Sequence, residues 1–214
     1  MDEEISIIDN NTRNEKIKNF FINNKKNLSI VITTIIMGLV VYFSFSEIKD
    51  KKKNELANKF NLAKINYDEN QKQKTVNELV EIINQNDTTY SPLALYFLLD
   101  NNLIEDNVRI NRLFDELIDQ TKLKAEIKNL IIYKKALFNS DFTSENNLLK
   151  ILNPIINSES IWKSHALYLL AEFFYSKGET QKAKEFFNQI LILTNSNSDI
   201  KIESQKRLNR DLSE

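Results

Sequence analysis

The sequence predicts an all-α protein: a single transmembrane helix followed by an antiparallel helix-pair solenoid. Three observations carry this. Leu28 to Ser46 reads LSIVITTIIMGLVVYFSFS, nineteen residues without a charge; as a helix it spans roughly 28 Å, the thickness of a bilayer's hydrocarbon core. The chain holds two glycines and two prolines, and only Gly178 lies beyond the span, whereas sheets need glycine for primed turns and bulges. After the span, apolar residues recur at the i, i+3, i+4, i+7 spacing of amphipathic helices.

Taken in order, residues 1–15 are polar and acidic (Asp2, Glu3, Glu4, Asp9), as in a flexible tail. Ile17, Phe20 and Phe21 share a face among Lys16, Lys18, Lys25 and Lys26, which suits either a short helix lying on the membrane surface or a solvated linker. The span follows. Its Ser29, Thr33, Thr34 and Ser44 can bond back to carbonyls one turn earlier, and Tyr42, Phe43 and Phe45 stand where an aromatic belt forms. The long acidic lead distinguishes it from a compact signal peptide, so an uncleaved anchor is expected. The flanks leave orientation open: Arg13, Lys16, Lys18, Lys25 and Lys26 on one side, Lys49, Lys51, Lys52, Lys53 and Lys59 on the other. The domains are thus 1–27, tail and basic juxtamembrane segment; 28–46, the span; and 47–214, the head.

In the head, Glu47 to Tyr67 continues as a helix with Leu56, Phe60, Ala63 and Tyr67 on one stripe. Val76, Leu79, Val80 and Ile83 mark the next helix. Thr88 to Pro92 reads as a turn, with Pro92 suited to a first helical turn. Leu93 to Leu99 is apolar on all sides and predicts a central, buried helix. Ile110, Leu113, Phe114 and Leu117 form a stripe; Ile127, Leu130, Ile131, Lys134, Leu137 and Phe138 form another. Leu148, Leu149 and Leu152 follow, ending near Pro154. A short terminal helix, Ile200 to Leu212, has the polar outer face of a cap.

Composition narrows function. A net charge of −1 offers nothing to capture nucleic acid. With no cysteine, disulfides, thiolate chemistry and sulfur-ligated zinc are excluded. The head cannot hold a phosphate-binding glycine loop. His165 is the only histidine, so no histidine cluster binds metal and no serine has a hydrolase partner. The reading is of a protein that is not an enzyme, needs no cofactor and takes no small-molecule substrate. The abundance of asparagine and lysine reads as a mark of AT-rich coding.

The most specific stretch is Ser164 to Thr194. Leu167, Leu170, Ala171 and Phe174 lie on a first helix, Gly178 at a turn, and Ala183, Phe187 and Ile190 on a second that Thr180 can cap. This stretch resembles a tetratricopeptide repeat, whose small residues let two helices approach while aromatics fill the groove to the next pair. Phe138, thirty-six residues before Phe174, stands at the equivalent place in an earlier pair that lacks the alanines. Such arrays hold partners on a concave face made by the first helix of each pair. Here that face offers His165, Tyr168, Glu172, Tyr175 and Ser176.

An acidic tail, the basic aromatic IKNFFINNKK, one span and a repeat head together resemble a bacterial inner-membrane family of ancillary Sec-translocon subunits with a tetratricopeptide-repeat-like domain. The resemblance implies a cytoplasmic amino terminus and a periplasmic head. Its partners would be translocon subunits, membrane-anchored periplasmic chaperones and unfolded clients, bound transiently without ATP. The alternative is an anchored scaffold or adaptor for an envelope-assembly or division complex.

Overall fold

The computed structural model describes residues 15–212, so the acidic tail read over 1–15 lies, but for Glu15, outside the described residues. They form helices throughout, with no strand among them: α1 (15–23), α2 (Lys25–Ile65), α3 (Lys72–Asn84), α4 (Tyr90–Asp100), α5 (Asn107–Gln120), α6 (Ala125–Asn139), α7 (Glu145–Ile156), α8 (Lys163–Ser176), α9 (Thr180–Ile192) and α10 (Ser198–Arg210). One turn of 3-10 helix, Glu69–Gln71, precedes α3. The chain divides into two compact units, 1–55 and 56–214.

In the first unit, α2 is long and apolar enough to cross a membrane, and none of its most apolar window is buried. The Thr33 and Thr34 hydroxyls donate to the Ser29 and Ile30 carbonyls, both at 2.9 Å, so neither is left unpaired there. The helix runs past the apolar stretch at both ends and stops at Ile65, two residues before the expected Tyr67.

The second unit holds two cores. Leu56, Phe60 and Ala63 join α3, α4 and α5 in the first, around Leu79, Leu95, Phe114 and Leu117. The second gathers α6 to α10 around Leu152, Leu170, Phe174 and Phe187. Helix α6 serves both: Ile131 belongs to the first core and Ile132 to the second. This corrects the stripe read on α6. Its buried face is Ile131, Ile132, Ala136 and Asn139, while Ile127 and Leu137 are exposed. A helix walled on two sides needs a broad arc, and no single stripe describes it.

Two further expectations change. Helix α4 buries Ala94, Leu95 and Leu98 but leaves Leu93 exposed, so it is half-covered rather than central. Pro154 lies inside α7, which continues to Ile156. It sits in the last turn, where Asn157 N–H still reaches the Asn153 carbonyl at 3.2 Å. Pro92 lies in the first turn of α4, as expected.

The helix stops explain how a chain so poor in glycine folds. Gly178 has φ of 75°; its N–H bonds to the Tyr175 carbonyl and that of Glu179 to Phe174, closing α8 with both bonds of a Schellman motif. Asn102, at φ 49°, does the same for α4, with Asn102 N–H on Leu99 and Leu103 N–H on Leu98. Asn86, at φ 53°, closes α3. There Ser91 Oγ donates to the Ile82 carbonyl at 2.8 Å and accepts from Asp87 N–H at 2.9 Å, bridging the groups a sixth-to-first bond would join. Asparagine tolerates the left-handed region better than other residues with a Cβ. Its abundance, read as a coding bias, supplies the turns glycine would otherwise make. Thr180 does not cap α9: it is the first helical residue, and Glu179 stands at the cap.

The helix pairs repeat with a register the sequence reading missed. Ile131, Ile132, Ala136, Leu148, Leu152 and Ile155 are buried, and so are Ala166, Leu167, Ala171, Ala183, Phe187 and Ile190, each thirty-five residues later. The step is thirty-five, not thirty-six. Phe138 therefore corresponds to Phe173, and the earlier pair does carry one of the alanines, Ala136 in the place of Ala171. The shift arises because α6 and α8 bury adjacent apolar residues, so two registers look alike in sequence.

The turn at Gly178 gives a test. A Cβ there meets nothing within 4 Å, so only the backbone conformation resists a side chain. Gly178→Ala should destabilise the head by about 1 kcal/mol, lowering its melting temperature by roughly 2–4 °C. Gly178→Asn should recover part of that loss. Gly38→Ala, in α2, should leave the head's transition unchanged.

Candidate functional site

Helix α8 carries the five residues read from the sequence, and the structure divides them. Tyr168, Glu172 and Tyr175 are half-buried, and Glu172 and Tyr175 meet the terminal helix α10. Arg207 of α10 makes the junction. Its Nε donates to Glu172 Oε1 at 2.7 Å and its Nη2 to Glu172 Oε2, a two-pronged pair; its Nη1 donates to Asp211. The guanidinium carbon lies 4.6 Å from the centre of the Tyr175 ring. A planar cation that bonds a carboxylate along one edge and stacks on a ring with its face is a role lysine cannot fill. Hydrogen bonds to Glu172 hold the Arg207 pKa above its already high value. The Tyr168 ring meets Phe187 of α9 edge-on at 5.6 Å. Burial, with the Glu172 carboxylate beside it, pushes the Tyr168 hydroxyl up to about 12.

His165 lies apart from that junction. Its ring is 5.1 Å from Trp162 and 5.9 Å from Tyr133, and those two stack at 5.9 Å and 20°. Tyr133 comes from α6, so this aromatic group ties α6 to the start of α8. His165 Nδ1 is buried with no hydrogen-bond partner. Burial lowers the ring's pKa, against the pull of the Ile161 backbone carbonyl. Ser176 is exposed and spent on its own helix, donating to the Phe173 carbonyl at 2.8 Å.

The sequence reading missed Arg207, Tyr133 and Trp162 as parts of this face. One signal was present: Arg207 stands thirty-five residues after Glu172, the step that relates α6 to α8. Lys182 makes a second cross-tie, bonded to Glu145 at the start of α7 at 2.7 Å and lying over Phe174.

Beyond the junction, a shallow cavity of about 380 Å³ opens beside His165, lined by Ile161, Trp162 and Asn195 to Asn197. Ile161 is 63% exposed and Ile192, nearby in sequence to that loop, 82%. An apolar cleft of about 450 Å³ separates α4 from α6, with Lys134 over the Tyr96 ring at 4.8 Å. Among the described residues no group of three or more His, Asp or Glu side chains is placed to hold a metal ion. Comparison with protein-family models, with curated proteins and with solved structures found no match to this chain.

The titrating groups act in two separate pH ranges. His165 binds a proton less readily folded than unfolded, so stability falls as pH drops below its ordinary 6.5. His165→Phe should flatten the dependence of the urea midpoint between about pH 7 and pH 5. Asp211 is held down at about 2 by hydrogen bonds from Arg210, then Arg207. Its contribution is present above about pH 4 and lost as pH falls towards 2. Arg207→Gln should release α10 at neutral pH, destabilising it by about 1–2 kcal/mol. Hydrogen exchange should then quicken in α10 and leave α3 to α5 unchanged.

Proposed function

We propose that this chain is a single-pass inner-membrane protein that binds other proteins through a tetratricopeptide-repeat-like head and performs no catalysis. The observation that carries the reading is the conjunction of an unburied, membrane-length apolar stretch in α2 with a head built of helix pairs repeating at thirty-five residues. On this reading the amino terminus is cytoplasmic and the head periplasmic. It works beside the Sec translocon, assisting membrane-anchored periplasmic chaperones with emerging chains. Support comes from the sequence's layout and from the α8–α9 pair, whose small and aromatic residues pack as that reading expects. Binding then falls to the part of the α8 face that α10 leaves open: His165, Trp162 and the exposed Ile161. An exposed isoleucine beside a tryptophan has the makings of an interface anchor.

A scaffold that holds one partner is the second reading. The observation favouring it is that Glu172 and Tyr175 are already engaged by α10 through Arg207, and that the Tyr168 ring packs on Phe187. A client-binding groove would be open along its length.

The chain has no cysteine, so a single introduced thiol reports topology. Asn195→Cys, exposed in the loop before α10, should react with a membrane-impermeant maleimide in intact cells whose outer membrane admits it. Reaction only after lysis would place the head in the cytoplasm and remove the translocon reading. A photo-crosslinker at Ile161 should then capture translocon or chaperone subunits together with many nascent chains; one partner at fixed stoichiometry would favour the scaffold.

A further inference from the structure

Helix α1 ends at a joint. Asn24 donates twice to the Phe20 carbonyl, from its backbone N–H and from its side-chain Nδ2, both at 3.0 Å. The same side-chain bond occurs inside unbroken α5, from Asn111 to the Asn107 carbonyl, so here it accompanies the end of α1 and is not its cause. Helical structure lapses at Asn24, a single residue whose carbonyl still accepts from Leu28 N–H at 2.8 Å, and resumes at Lys25, the start of α2. The joint thus falls between the two lysines that open the span and the aromatic residues before it.

The faces of α1 are sorted. At about 100° per residue, Ile17, Phe20 and Phe21 fall within one arc of about 100°. All three are exposed, and Phe20 and Phe21 pack edge-on at 5.9 Å. Lys16 and Lys18 border that arc on either side, Asn23 falls beside Lys16, and Asn19 lies opposite, with Ile22. Between 15 and 27 the charges are Glu15 against Lys16, Lys18, Lys25 and Lys26. Apolar residues flanked by long cationic stems, directly before a span, form a surface that reaches hydrocarbon and phosphate at once.

We propose that α1 is an interfacial helix which docks on anionic lipid headgroups. It turns at Asn24 to lie along the bilayer surface, with Ile17, Phe20 and Phe21 immersed and Lys16 and Lys18 on phosphates. The charge of the segment and its continuity with the span select this occupant over a protein partner. The inference concerns the first unit alone and does not depend on what the head binds.

The test uses the full chain carrying one spin label at a time, at Ile17→Cys, Asn19→Cys, Phe20→Cys or Asn23→Cys. Each is reconstituted in phosphatidylcholine bilayers and in the same lipid with about a quarter phosphatidylglycerol. In the anionic bilayer, labels at 17 and 20 should be relaxed by oxygen, and those at 19 and 23 by a water-soluble nickel chelate. In phosphatidylcholine alone the immersed population should fall, by about fivefold for each lysine whose attraction is lost. Lys16→Gln and Lys18→Gln should lower it likewise in the anionic bilayer. Four water-exposed labels in both lipids would mean a solvated linker. Four lipid-immersed labels would mean a straight extension of the span. Equal immersion in both lipids would mean no anionic preference. Each of these overturns the proposal.

Discussion

The head depends on one helix being buried from two sides. Ile131 and Ile132 are neighbours in sequence, yet one completes the core of α2 to α5 and the other that of α6 to α10. Adjacent residues on a helix point about 100° apart, so α6 must present a wide apolar arc. Small residues then make its packing possible: Ala136 is fully buried, and Asn139 leaves the helix end through polar bonds instead of apolar contact. Asn139 and Asn111 of α5 exchange amide bonds at 2.8 and 3.0 Å, and Asn139 also donates to the Lys135 carbonyl. A buried amide of this kind is tolerated because its polar atoms have partners.

The elements were legible in the sequence because helix periodicity survives burial on one face. The stripes of α3 and α5 are Val76, Leu79, Val80 and Ile83, then Ile110, Leu113, Phe114 and Leu117; all are buried where the spacing put them except Val80, which is half-buried at the edge of the first core. Periodicity failed where a helix has two neighbours, as at α6, or an open side, as at α4. It also could not separate a thirty-five-residue repeat from a thirty-six-residue one, since Leu137 and Phe138 fit the latter and only burial of Ala136 decides for the former. Turn chemistry was half legible. Gly178 announced itself, but Asn86 and Asn102 were hidden among many asparagines, with only their backbone angles to set them apart.

The candidate face shows the same limit. Spacing set Tyr168, Glu172 and Tyr175 apart from the fully buried residues of α8, but both tyrosines pack against the edge of the second core. What covers Glu172 and Tyr175 did not follow from spacing, because it comes from a helix thirty-five residues on whose own sequence is mostly polar. Arg207 joins Glu172 and Tyr175 to α10, so the end of the array is closed by a charged, aromatic clasp instead of a large apolar patch. That suits a helix needing a wet outer face, and it leaves the aromatic group of Tyr133, Trp162 and His165, at the start of α8, outside the clasp.

The claim on which the account rests is that α6 couples the two cores into one cooperative unit. Native-state hydrogen exchange on the full chain, with Ile132→Ala, tests it most directly. The substitution removes apolar volume from the second core only and should destabilise it by about 2–4 kcal/mol. If α6 is a shared wall, amides of α3 and α5 in the first core should lose protection alongside those of α7 and α8. Loss confined to α6 through α10, with α3 and α5 exchanging as before, would show two independent cores and contradict the account.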